Sequence, residues 1–574
     1  MSQKKIKRIK KMLSLTPEES MVVPEFKIFF KKFYWALFLI GLGVVVVFGN
    51  GLRGDFVSDD YATVPQNPLV ADFRASVLTP GNMFNSMNIS NYILANIFGV
   101  VSPVPYHVFS LLTYLVSIFL VFWFVYLITG RGKLTILTTL IFAFMPIHVE
   151  AVSWNAGKIY LIISNYILVV LISFIYLLKT RKLKYGLVFI LAFVLAFLTD
   201  RPRPFAVFLI IPGLLALYPW KLISGFAKSM WKWLLPILVI FFIIAFPYIK
   251  SRVSVVNSGI NESGSIFYPP TFQYPIAVTK YLQLILVPTD LTLYHTMYVL
   301  PGWLNWAVLL VYLALMVRFW FKDKLWFFAL FLFMAATLPS MAPLKVSWLV
   351  AERYAYLGSL GLAIFLSLII GVMYKRLKIL PVVLAAGLVS VYALRIYFRN
   401  IDWSTNHLLW VNTCQVSPNS HNAWNNIGDD YDKLKDYASA IKGFTQSTIV
   451  KPNYADAYHN RANIFFKTGR LDLGRESYET ALRFNPGLIQ TYISLVQIDL
   501  NEKKYDLALQ HINKSVELDP NNPQTLYILA VVYAQLGRIE EAKGVLKTTI
   551  SRFPNYSLAR NALIELEGVK VGSS

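Results

Sequence analysis

Two adjacent carboxylates, Asp59 and Asp60, follow the first long apolar stretch of this 574-residue chain. Carboxylates placed there can take a proton from a hydroxyl as a general base, or hold a divalent cation against a phosphate. A helix cap or a turn uses the same pair for purely structural ends. Further on, Pro146-Ile147-His148-Val149-Glu150 sets an imidazole and a carboxylate two residues apart. That spacing suits acid–base or metal chemistry, or simply a hydrogen-bonded interfacial histidine, and two ligands are too few for a structural zinc site. A divalent Mg or Mn ion on Asp59, Asp60 and His148 is one expectation, and no metal at all is the other. Lys158 opens an apolar stretch, where it neutralises a lipid phosphate or snorkels to headgroups. Asp200-Arg201-Pro202-Arg203 lies in a tight turn, and its arginine forks match phosphate geometry unless Asp200 supplies the anion. Glu352-Arg353-Tyr354 opens another apolar stretch, as an internal ion pair or an anion clamp. The single cysteine, Cys414, excludes an intrachain disulfide and a cysteine-based metal site.

These clusters need elements to hold them, and the composition says which kind. Hydrophobic residues make up 56% and charged residues 15%, so an ordinary water-facing surface cannot be covered. The apolar residues come in long blocks, and about 20 of them in a helix cross a hydrocarbon core of roughly 30 Å. The net charge of +23 does not indicate a nucleic-acid partner, because many of the basic residues sit in tails and loops beside the apolar blocks. A basic segment at 1–32, including Lys4-Lys5-Ile6-Lys7-Arg8, reads as a retained cytoplasmic anchor. Following the loop charges from there gives eleven crossings within a membrane domain at 33–400, with outer loops at 53–104 and 250–301. A short segment, 274–288, carries Lys280 and reads as re-entrant. An odd count puts the C-terminal region opposite the cytoplasm, on the same side as the polar clusters described above.

After residue 400 the composition becomes that of a soluble domain with a 34-residue period. Pro452, Pro486, Pro520 and Pro554 mark it, with Trp424, Tyr458, Tyr492 and Leu526, and with Ala440, Gly474, Ala508 and Ala542, at the same interval. Such a pattern is that of a tetratricopeptide array: small residues let paired helices approach, aromatics fill the space between units, and a proline closes each one. Residues 401–574 therefore hold about four repeats and a capping helix. Stacked repeats make a groove suited to an extended protein segment, or they brace and oligomerise the membrane domain.

In their order along the chain, four stretches resemble a known family: Asp59-Asp60, Pro146 to Trp154, Tyr281 to Pro288, and Ala351-Glu352-Arg353-Tyr354-Ala355-Tyr356, followed by the repeats. The family is that of the transmembrane and tetratricopeptide repeat (TMTC) O-mannosyltransferases and their bacterial relatives, of the GT-C class. The resemblance implies an all-α GT-C-like membrane domain followed by a helical solenoid. It implies transfer of mannose or another hexose from an undecaprenyl or dolichyl phosphate to an acceptor hydroxyl, on a protein held by the repeats, outside the cytoplasm. Asp59 or Asp60 would be the base. Lys158, Arg201, Arg203 and Arg353 would meet the donor phosphate, with His148, Glu150, Asp200, Glu352 and Tyr354 in support. The chain departs from its relatives at Met145, where they commonly carry histidine, at Lys158, where they often carry arginine, and at Asp200-Arg201, where Lys-Glu is expected. A bacterial inner membrane is the expected location, with the endoplasmic reticulum membrane if the source is eukaryotic. Two other classes fit the same composition: a non-enzymatic membrane scaffold for envelope assembly, and a flippase or polymerase for lipid-linked glycans.

Overall fold

The computed structural model describes residues 25–79, 84–200, 203–232, 270–298, 300–341 and 349–568. The basic cluster Lys4 to Lys11, the expected span at 233–250 and Arg201 lie outside them. Among the described residues every regular element is helical, and the chain divides into two compact units, Met1–Val416 and Ser417–Ser574.

In the first unit, α1 (Phe26–Phe48) is nearly uncharged beyond its first turns and runs into a 3-10 turn at Gly49–Arg53. The outer loop after it is not featureless: it carries α2 (Ser86–Phe98), capped by the Asn85 side chain, which accepts from the backbone N–H groups of Met87 and Asn88. Three helices then build the core. α3 (Val104–Thr129) packs on α4 (Gly132–Ala143) and on α5 (Lys158–Thr180), and α6 (Tyr356–Leu377) covers α4. α7 (Ile379–Asp402) returns against α1.

Six helices reach the length and apolar composition of a crossing, and a bent pair raises the number to seven. Three shorter apolar helices, Leu183–Thr199, Arg203–Leu215 and Lys324–Ser340, fall below that length. The expected count of eleven is thus not reached by length and composition among the described residues. One reason is the bent pair itself. Gly132–Ala143 and Pro146–Ser153 meet at 55°, because Pro146 cannot donate the backbone bond that would continue the first helix. What reads in the sequence as an outer loop around His148 is instead a fully buried helical turn. The segment expected to be re-entrant is a helix, Pro270–Leu286, whose Lys280 is buried and donates to Gln283 and Asp290.

The first unit ends in α8 (Asn406–Val416), beyond the expected boundary at 400. Side chains tie α8 to this unit: Asn406 accepts from the Ser58 N–H at 2.8 Å, Asn412 accepts from Arg399 at 3.0 Å, and the Trp410 ring lies 5.7 Å from that of Tyr294. The second unit is four helix pairs, from His421–Lys433 with Tyr437–Val450 to Pro523–Gln535 with Ile539–Arg552, and a last helix at Ser557–Leu566. The small residues do what their period implies. A Cβ on Gly428 would stand 2.8 Å from the Phe444 ring, so the two helices of the first pair meet only because no side chain is there. Ala440, Ala508 and Ala542 are fully buried, and each period-marking proline stands two residues past a helix end, where it cannot continue the helix.

Candidate functional site

The two carboxylates at the start of the outer loop are not equivalent. Ser58 takes a left-handed φ of 52°, and a four-residue helix, Asp60–Thr63, begins at once. That turn swings Asp60 fully inside and leaves Asp59 exposed, without a side-chain partner among the described residues. The Asp60 carboxylate accepts the Val57 N–H at 3.2 Å and the Ala156 N–H at 2.7 Å. It therefore rests on the backbone just ahead of α5, where unpaired N–H groups favour an anion. Burial outweighs these donors and the nearby Lys158, and pushes the carboxyl up from 3.8 to about 7.

Lys158 is fully buried at the first position of α5. Its ammonium donates to Asn91 Oδ1 at 2.5 Å and to Asn155 Oδ1 at 2.8 Å, with the Tyr106 and Phe109 rings 5.5 and 5.4 Å away. The segment before it is pinned by Gly157, where a Cβ would come within 2.4 Å of the Glu150 carbonyl oxygen. Any side chain there would push apart the Glu150 turn and the entry to α5.

The remaining candidates gather around Tyr160, two residues further on. Arg353 bonds Glu150 twice, through its guanidinium to Oε1 and through its backbone N–H to Oε2 at 2.7 Å. Arg203 pairs with Asp200 and donates to the Tyr160 hydroxyl at 2.7 Å, and Arg353 Nε donates to the same oxygen at 3.3 Å. The Arg203 guanidinium lies 4.2 Å from the centre of the Tyr160 ring and 5.3 Å from that of Tyr354, while Arg353 stands 5.3 Å from Trp154 and 5.0 Å from Tyr354. Three buried donors of this neighbourhood, Arg203 Nε, Trp154 Nε1 and Asn155 Nδ2, have no acceptor among the described residues. A region with donors to spare suits an anion.

Two candidates are occupied elsewhere. His148 is hydrogen-bonded at both ring nitrogens, Nε2 with Ser359 Oγ at 2.8 Å and Nδ1 with the Tyr114 hydroxyl at 2.9 Å, and each of those hydroxyls also reaches a carbonyl, of Tyr356 and of Ala143. Both ring nitrogens are used in bracing α3, α4 and α6, and His148 does not join Asp59 and Asp60. The described residues contain no group of three or more His, Cys, Asp or Glu arranged to hold a metal ion, so the expected trio of ligands does not assemble. Glu352 does not pair with its neighbour Arg353. It accepts from Arg399 at 3.0 Å, with His295 at 3.7 Å, because adjacent residues on a 3-10 turn diverge by about a third of a revolution.

Sequence reasoning passed over Asn91, Tyr160 and Arg399. Asn91 had a legible signal: with Ser90 it is a polar member of the buried stripe Met87, Ser90, Asn91, Leu94 on α2. Arg399 stands fully buried near the end of the last apolar stretch, where an arginine demands a partner. Tyr160 had none, since tyrosine is ordinary at a membrane interface.

Residues 425–489 and 500–564 each match a tetratricopeptide repeat family model. Over 90% of its length the chain is 22% identical to the human protein O-mannosyl-transferase TMTC3, covering 68% of that protein. It is 26% identical to mouse TMTC3 over 33% of this chain and 26% of the relative. Among solved structures, YrrB, described as a tetratricopeptide repeat protein with an unusual peptide-binding site, is 19% identical and aligns with a TM-score of 0.25, over 34% of this chain and 96% of its own.

Proposed function

From the premise that this chain is TMTC-like, a distant homologue of a protein O-mannosyl-transferase with tetratricopeptide repeats at its C-terminus, we propose that it is a GT-C glycosyltransferase of the membrane. It moves mannose or another hexose from a polyprenyl phosphate to a hydroxyl, on a protein held by the repeats, on the non-cytoplasmic side. The observation that carries this reading is the seven-residue stretch Trp154 to Tyr160. Ala156 in it bonds Asp60, Lys158 stands between Asn91 and Asn155, and Tyr160 receives both Arg203 and Arg353. One short stretch thereby joins a buried carboxylate to a cluster rich in cationic donors, from parts of the chain up to 293 residues apart.

In the proposed reaction Asp60 takes the proton of the acceptor hydroxyl as its oxygen attacks the anomeric carbon. The bond from that carbon to the phosphate oxygen breaks, with inversion, and the lipid phosphate gains a negative charge as it leaves. Groups that meet this growing charge lower the barrier more than they bind the ground state. Arg203, partly exposed with Nε unspent, is the first candidate for that contact. Arg353 is committed to Glu150 and acts chiefly by holding Tyr160, while Lys158 adds its charge from beside Asp60. Arg201, two residues before Arg203 in the sequence, keeps its proposed place at the phosphate. Asp59 remains the alternative base.

Single-turnover transfer from radiolabelled polyprenyl-phosphate mannose in proteoliposomes tests the assignment. Asp60→Asn is expected to lower the rate by at least about 100-fold, the scale of a lost general base, and Asp59→Asn by less than about tenfold. Equal rates in wild type and Asp60→Asn remove Asp60 as the base. Protease cutting of the repeat array only from the cytoplasmic face would remove the proposed sidedness.

A further inference from the structure

Lys158 and Asp60 act on each other electrostatically, yet the ammonium and the carboxylate stand more than 4.0 Å apart, beyond ion-pair distance. A direct contact would bring two opposite charges together, an attraction that neutral amide oxygens do not supply. Something must therefore hold the lysine back. Its ammonium is tethered by two amide oxygens, of Asn91 and Asn155. The orientation of the Asn91 amide is itself fixed, because Asn91 Nδ2 donates at 3.4 Å to the Thr63 carbonyl, on the same short helix as Asp60. Asn91 is 2% exposed and comes from α2, which otherwise buries Met87 and Leu94 on that face.

We propose that Asn91 is a positioning residue, which holds the Lys158 ammonium off the Asp60 carboxylate and so keeps that carboxylate basic enough to accept a proton. The proposal rests on Asp60 being the base, as above. An ammonium in direct contact would stabilise the charged carboxylate and make it a poorer base. The other charged or titratable groups around the pair are Asp55, Asp59, His107 and Tyr106, and of these His107 bonds the Gly54 carbonyl at 3.1 Å.

The test uses two substitutions at one position in the full-length chain, with opposite signs expected. In Asn91→Ala the ammonium moves onto Asp60, so the acid limb of the single-turnover pH profile drops by about one pH unit and the plateau rate falls about tenfold. In Asn91→Asp a second carboxylate takes the lysine, so the limb rises by about one unit. The Asp60 carboxyl band, titrated by infrared difference spectroscopy with Asp60→Asn as the blank, reads the same shifts without any need for turnover. Asn91→Ser replaces Asn91→Ala if that variant melts before titration, and is expected to follow it. Midpoints that stay put, or that move in one direction for both variants, overturn the proposal, even if rates fall. If the infrared midpoints move as expected but wild type transfers no sugar, the glycosyltransferase reading fails and the electrostatic role of Asn91 stands. If transfer depends on Asp60 and the midpoints stay put, only the role of Asn91 fails.

Discussion

As the proposed base, Asp60 would have to be buried to be basic and ionised to act, and these two demands set opposite pH dependences. Its folded value of about 7 lies above the ordinary 3.8, with burial as the first cause. Below about pH 7 the carboxyl holds its proton and cannot accept another, so the transfer rate is expected to fall about tenfold per pH unit there. Stability runs the other way. A carboxyl whose folded pKa is raised favours the folded state fully below the unfolded value, and that contribution is lost as pH rises through about 7. Wild-type melting temperature should therefore decline between about pH 5 and pH 8 by a component that Asp60→Asn lacks. Parallel melting curves for the two chains across that range would show that Asp60 does not titrate there. The adjacent pair of aspartates was plain in the sequence. Which of the two is buried was not, because it depends on the left-handed Ser58 and on the Ala156 N–H, 96 residues away.

Between elements, the Glu150–Arg353 pair joins the buried turn Val149–Ser153 to the start of α6. Both side chains were candidates from sequence, but as members of separate clusters. The 3-10 turn at Glu352–Ala355 decides their pairing, by pointing Glu352 toward Arg399 and Arg353 toward Glu150. Removing one partner of a buried pair leaves the other charge unpaired and costs about 3–5 kcal/mol, whereas removing both can be nearly neutral. Glu150→Gln and Arg353→Met are each expected to destabilise the chain by that order, and the double variant by less than either. Additive losses in such a cycle would show that the two side chains act independently. The bent helix before this turn was the least legible element. Met145-Pro146-Ile147-His148 has the look of a loop between spans, and only its burial against α3 and α6 makes it part of the interior.

At the scale of the whole chain, the two compact units divide after Val416, and the proposed division of labour follows the same line. A chain ending at Val416 is expected to keep binding polyprenyl phosphate while losing most transfer to a protein acceptor, measured by mass spectrometry of the acceptor peptide. Undiminished transfer by the shortened chain would remove the repeats from acceptor binding. The repeats were readable in full from their 34-residue period, since each pair of helices contacts mainly its neighbours and local pattern determines local packing. The helical, membrane-embedded nature of the first unit was equally readable, because lipid requires each span to satisfy its own backbone and to be apolar throughout. The number of crossings was not, since a kink at Pro146 and several short apolar helices escape any rule of length. Nor were the partners of the charged side chains. Sequence determines which charges enter the interior, but burial makes each of them find an opposite charge or a dipole, and only the packing of distant helices determines which one is within reach.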